Sequence, residues 1–137
     1  MIVVLDASAA IEIVLHRNSA ENLAKYIIEA DWVIAPTLFI SEVTNTIWKY
    51  QKFADFPYSS CEKALEQALA LPDDFINELE LYREAFKLSC TLDHSVYDML
   101  YLLAARRNNG ILLTLDKQLI KIAIKCSVEI CELQAGF

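Results

Sequence analysis

The sequence predicts an α/β fold in which a mostly parallel sheet of four to five short strands lies between helices. Three observations point there. Short apolar runs, too brief for helices, recur at residues 1–5, 32–35, 111–113 and 128–131. Amphipathic stretches with helical spacing separate them. Only two Gly and three Pro occur in 137 residues that are 55% hydrophobic, which argues against disorder and against a turn-rich all-β chain.

Taken in order, Met1-Ile2-Val3-Val4-Leu5 forms the first strand and stops at a carboxylate, Asp6. Asp6 or Ser8 then caps a helix. Asn18-Ser19 opens a second helix, with Leu23, Ala24, Ile27 and Ile28 as its apolar stripe. The strand at 32–35 ends at Pro36, which has no N–H for a ladder. A long helix starts at Pro36 or Thr37 and runs to about Phe53, directing Phe39, Ile40, Val43, Ile47 and Tyr50 inward. Residues 53–57 break the pattern, and Ser59 or Ser60 caps a further helix. Residues 71–75 read as a connector and 79–92 as another helix. Ser95 caps the next, with Met99, Leu100, Leu102 and Leu103 behind it, and Asn108-Asn109-Gly110 stops it. Ile111-Leu112-Leu113 is a strand covered on both faces. Residues 117–125 form a lysine-studded helix, and 128–131 a last strand.

The length suits one domain over residues 1–137 with a real core. No apolar run reaches the roughly 18 residues of a membrane span, and no basic signal-peptide start is present, which points to a soluble, cytoplasmic protein. Cys61, Cys90, Cys126 and Cys131 lack zinc-ligand spacing and read as reduced thiols. His16 and His94 stand isolated. A net charge of −7 runs against a polyanionic partner. Its distribution is uneven, however. Residues 62–84 carry seven acids against Lys63 and Arg83, whereas 106–125 carry five bases against Asp116. Arg106, Arg107, Lys117 and Lys121 form a candidate RNA-binding patch, with a solvated helix face as the competing reading.

Four acids fall where chemistry is expected: Asp6 after the first strand, Glu42 in the long helix, Asp98 in a first helical turn, and Asp116 beyond a buried strand. In open α/β sheets, ligands gather beyond the carboxyl ends of the strands. The plainer alternatives are that Asp6 only caps a helix and that Glu42 is solvated or serves the helix dipole. If the four converge, each pair about 5 Å apart repels by roughly 3 kcal/mol at an effective dielectric near 20. Either some acids protonate or a divalent cation neutralises them. An all-oxygen set with free water positions suits Mg²⁺ or Mn²⁺ better than zinc, and phosphodiester hydrolysis is the natural chemistry.

The ordered set Asp6-x-Ser8, Ser41-Glu42-Val43-x-Asn45, Tyr97-Asp98-x-x-Tyr101 and Thr114-x-Asp116 resembles the PIN domain family. That family includes the metal-dependent VapC-type toxin ribonucleases of toxin–antitoxin pairs. The resemblance spans essentially the whole chain. One small departure is Lys125-Cys126-Ser127, in a turn where family members often have Gly. It implies a three-layer α/β/α PIN-like fold, with residues 56–92 as a helical insertion or cap. It makes Asp6, Asp98 and Asp116 metal ligands, with Glu42 binding metal directly or through water, or orienting the attacking water. Ser8, Asn45 and Thr114 would hold these carboxylates in place. The implied cofactor is Mg²⁺ or Mn²⁺, the implied substrate RNA, and the implied partners a second copy in a homodimer and a cognate VapB-like antitoxin. Ile13, Val14, Trp48 and Phe53 are candidate antitoxin contacts. A catalytically silent PIN-fold dimerisation or protein-binding module is the main alternative. A receiver-type phosphoacceptor domain would need adjacent acids after the first strand, where Ala7 stands. A haloacid-dehalogenase-type phosphatase would need Asp at position 8, where Ser8 stands.

Overall fold

Consecutive apolar side chains give the first strand no face that tolerates water, and β1 (Ile2–Leu5) takes the interior of the sheet with Val3, Val4 and Leu5 fully buried. In the computed structural model, which describes residues 1–133, the strand order is β3 (Asp74–Ile76), β2 (Trp32–Pro36), β1, β4 (Ile111–Leu113), and all pairs are parallel. Val3 pairs with Val33 on one side and Ile111 on the other. The chain therefore winds outward from β1 through β2 to β3, then returns to add β4 on the opposite flank. That reversal at β1 opens a crevice at the carboxyl edge of the sheet.

Seven α-helices among the described residues complete a three-layer α/β/α arrangement. α6 (Val96–Asn108) crosses β1, β2 and β4 and carries α5 (Tyr82–Leu92) beside it. Its residues from Met99 through Ala105 are all buried, as a helix apolar on every side requires. α1 (Ala7–Val14) packs on α2 (Ala20–Glu29), α3 (Leu38–Phe53) and α4 (Tyr58–Leu69), while α7 (Lys117–Lys125) meets α6. Among the described residues no helix is long and apolar enough to cross a membrane, and the four cysteines are free.

Several expected elements differ. The connector at 71–75 contributes to β3, which pairs Ile34 with Asp74 and adds a fourth strand, so the 56–92 stretch is not purely helical. Asp73 accepts the Val33 backbone N–H at 2.8 Å and Asp74 accepts Trp32 Nε1–H at 2.8 Å, fixing this short edge by side chains. The helix expected over 79–92 is split into a 3₁₀ turn, Glu78–Glu80, and α5. α4 begins after Pro57 with no side-chain cap, so neither Ser59 nor Ser60 caps it. The last strand reduces to one bridge, Ile130 against Leu112, leaving four strands. Ile28 and Ile40 face solvent.

The stop after α6 uses both residues expected there, in different ways. Asn109 takes the left-handed conformation at φ 50°, while Gly110 donates its N–H to the Ala105 carbonyl at 2.9 Å. Gly110 is needed for space: a Cβ there would lie 3.2 Å from the Ile2 carbonyl oxygen and 3.3 Å from Ile2 Cγ2. Gly110→Ala should therefore wedge β4 against β1 and cost about 1 kcal/mol, read from the urea midpoint at unchanged m.

Candidate active site

Five segments deliver the site. β1 ends at Asp6, α1 follows with Ser8, α3 carries Glu42, the first turn of α6 carries Asp98, and the loop after β4 carries Thr114 and Asp116. The four acids line one cleft of about 410 Å³, together with Ala7, Ile11, Glu12, Arg17 and Thr46.

Asp6 is the most buried acid. Its Oδ2 accepts Ser8 Oγ–H at 2.6 Å and Thr114 Oγ1–H at 2.7 Å. Each hydroxyl is aimed by a backbone donor behind it: Leu115 N–H donates to Ser8 Oγ at 3.0 Å and Asp116 N–H to Thr114 Oγ1 at 3.0 Å. Asp6 occupies the N-cap position of α1 but caps it with no side-chain hydrogen bond. Asp116 does cap its helix, with Oδ1 accepting the Gln118 and Leu119 N–H groups at 2.9 and 3.2 Å. Glu42 Oε1 accepts the hydroxyl of buried Tyr101 at 2.6 Å. Asp98 Oδ2 pairs with His94 Nε2 at 2.7 Å, one helical turn away.

Every acid thus has one oxygen tied down by the protein and a second to which no described side chain donates. The acids feel one another. Burial raises the Asp6 carboxyl above the ordinary range despite its two hydroxyl donors, and the Asp116 charge raises it further. Burial likewise raises Glu42, with added repulsion from Asp6, Asp98 and Asp116. Asp98 is raised chiefly by burial and also by Asp116, against the opposing pull of His94. Burial, then the Asp6 and Glu42 charges, hold the Tyr101 hydroxyl far above its usual range, so it stays a donor.

This donor set fits a hard divalent cation: several carboxylate oxygens, each half-used, facing one open cleft. It is an open site. Among the described residues, no three Asp, Glu, His or Cys side chains are gathered closely enough to enclose a metal unaided. Mg²⁺, which keeps several waters, matches such a set better than an ion needing a closed cage.

The sequence reading placed several roles elsewhere. Asn45 is exposed, and among the described residues the side chain that hydrogen-bonds the Glu42 carboxylate is Tyr101. Tyr101 could have been suspected from its place one turn after Asp98, and His94 from its i, i+4 spacing to the same acid. Arg106 and Arg107 are not at the cleft. They lie about 12 Å along α6 from Asp98 and grip Glu84, at 3.1 and 2.7 Å, with Arg107 also bonding the Glu80 carbonyl. Lys121 lines a separate groove with His94, Gln118, Ile122 and Lys125, and Lys117 is exposed at the start of α7. Of the candidate antitoxin contacts, Val14 is buried and Ile13 packs partly against the core. Trp48 and Phe53 are exposed, edge to face with centroids 6.4 Å apart.

The carboxylate cleft at the reversal point of a four-stranded parallel sheet is the arrangement of a PIN domain, and the PIN domain family model matches residues 3–125. The chain belongs to the PIN domain family. It is 28% identical over 125 residues to a protein named Ribonuclease VapC3 from Pyrobaculum aerophilum, covering 87% of this chain and 92% of that one. Among solved structures it resembles PAE2754 from Pyrobaculum aerophilum, with a TM-score of 0.71 and 19% identity, over 87% of this chain and 82% of that one. It also resembles VapBC2 from Rickettsia felis, solved bound to a DNA fragment from their promoter, with a TM-score of 0.67 and 14% identity, over 95% and 97% of the two chains.

The raised carboxyls set the sign of a stability effect. Their protonated forms are favoured in the folded state, so this stability is complete below the ordinary values of 3.8 and 4.5 and is lost as pH rises through the raised ones. In metal-free protein, Asp6→Asn should raise the melting temperature at neutral pH by about 4 °C. The gap should close on acidification or on adding Mg²⁺. A variant that melts below the wild type throughout would contradict this electrostatic account.

Proposed function

We propose that this chain is a metal-dependent endoribonuclease of the VapC type, hydrolysing RNA phosphodiesters at the four-carboxylate cleft. The observation that carries the reading is the half-satisfied state of Asp6, Glu42, Asp98 and Asp116 in one cleft, which leaves oxygens available to a divalent cation. The relative named Ribonuclease VapC3 supports the same chemistry. Mg²⁺ or Mn²⁺ held by these acids would supply positive charge against the phosphate oxygens and acidify water.

The chain's own residues do the rest. Ser8 and Thr114 fix the Asp6 carboxylate, His94 fixes Asp98, and the α7 N-terminus fixes Asp116. Tyr101 holds Glu42 with one oxygen free, and the raised proton affinity of Glu42 moves it toward the range of a useful general base. It would take a proton as a water oxygen attacks phosphorus in line with the departing oxygen.

Purified protein incubated with a mixed pool of structured RNAs should cleave with Mg²⁺ or Mn²⁺, should not cleave with EDTA, and should lose activity as Asp98→Asn. Tyr101→Phe should lower kcat about tenfold while leaving the fold intact by circular dichroism. Folded, antitoxin-free protein that neither cleaves RNA nor gains thermal stability from Mg²⁺ would favour a silent binding module. The toxin assignment also includes a homodimer and inhibition by a cognate antitoxin. Of the four candidate contacts, Trp48 and Phe53 are the ones exposed for a partner. Light scattering should give a dimer mass, and titration with the antitoxin should abolish cleavage; a monomer indifferent to it would remove the toxin assignment.

A further inference from the structure

Among the described residues, Arg17 is the only basic side chain lining the carboxylate cleft, which it shares with five acids: Asp6, Glu12, Glu42, Asp98 and Asp116. An arginine among so many carboxylates is expected to pair with one. Instead, among the described residues it makes no salt bridge. Its Nη1–H donates to the Tyr50 hydroxyl at 2.5 Å, and the guanidinium carbon lies 5.2 Å from the Tyr50 ring centroid.

Two features hold it there. α1 ends in a paired motif in which Arg17 N–H donates to the Glu12 carbonyl at 3.1 Å and His16 N–H to that of Ile13 at 3.1 Å. His16 adopts the left-handed conformation at φ 54°, which costs a side-chain-bearing residue about 1 kcal/mol and turns the chain so that Arg17 reaches the cleft. From the other side, Tyr50 on α3 is braced by Phe56, with ring centroids 5.2 Å apart. The Nε–H and Nη2 hydrogens of Arg17 have no described protein acceptor.

We propose that Arg17 binds a backbone phosphate of the RNA strand beside the scissile one, drawing a polyanion into a cleft whose own charge repels it. This rests on the ribonuclease reading above. A guanidinium offers paired N–H donors that match two phosphate oxygens, and Tyr50 keeps that fork from collapsing onto the neighbouring acids. Arg106 and Arg107 are committed to Glu84 and Arg83 lies over Tyr82, away from the cleft lining, so Arg17 is the arginine placed for this task.

The test compares wild type, Arg17→Gln and Arg17→Lys on one labelled, mixed-sequence single-stranded RNA pool. Cleavage is measured directly, and binding by anisotropy in an Asp98→Asn background that prevents turnover. Arg17→Gln should raise KM about tenfold with kcat changed less than about twofold. It should also lower the slope of log Kd against log salt by about 0.7, the share of one phosphate contact on a single strand. Arg17→Lys should recover the salt slope and part of the affinity, which a purely structural role would not produce. A wild type that cleaves while Arg17→Gln keeps its KM and salt slope overturns this inference and leaves the ribonuclease reading standing. A wild type that neither cleaves nor binds the RNA overturns both.

Discussion

A carboxylate at the end of the most buried strand is the constraint on which the rest of this molecule depends. Left alone there, Asp6 would simply hold its proton. Two hydroxyls, from Ser8 just inside α1 and Thr114 just beyond β4, give it partners at 2.6 and 2.7 Å. That requirement couples the strand register to the site. β4 must pair with β1 so that Leu5 meets Leu113, because a one-residue slip would turn Thr114 to the opposite face. The same Thr114 oxygen accepts the Asp116 N–H, so one hydroxyl sets the positions of two acids.

The remaining acids follow the same economy of contact. Each is anchored through one oxygen by a group that its own helix or a neighbouring one supplies: Tyr101 for Glu42, His94 for Asp98, and the first turn of α7 for Asp116. Anchoring does not remove repulsion, and the raised carboxyls record what is left. The chain uses its arginines in two ways around this field. Arg106 and Arg107 close the α5–α6 interface on Glu84, far from the cleft. Arg17 is kept apart from acids by an aromatic partner at the cleft itself.

Much of this was legible in the residues. The strands β1, β2 and β4 announced themselves as apolar runs, and the four acids were placed by what precedes them. Ser95 caps α6 as its type and position suggest, accepting the Asp98 N–H at 3.3 Å. The edge strand β3 was not legible, because Asp74-Phe75-Ile76 is short and largely exposed and is secured to β2 by the Asp73 and Asp74 carboxylates, which no local pattern reveals. The strand expected at 128–131 reduces to a single bridge, in which Leu112 alone bonds the backbone of Glu129 and Cys131. The charge blocks misled for a physical reason. An acidic stretch and a basic stretch distant in sequence meet in space, and Glu84 consumes two of the cations counted toward RNA. Partners such as Tyr101 were hidden by their own burial, since an aromatic in an apolar helix reads first as core.

The central strand is made first and flanked last. Asp6 and Thr114 are separated by 108 positions, and β1 waits for β4 through the synthesis of all that lies between them. Contacts of such separation close late and slow the search for the native state. Until β4 emerges, Asp6 has only Ser8 for company, and neither Asp116 nor the N-terminal turn of α7 exists to complete the cleft. A growing chain on the ribosome, or one cut short anywhere before Ile111, therefore lacks both Thr114 and Asp116 and cannot complete the cleft. The order of the strands acts as a timer that withholds the complete site until β4 and the loop beyond it have been made.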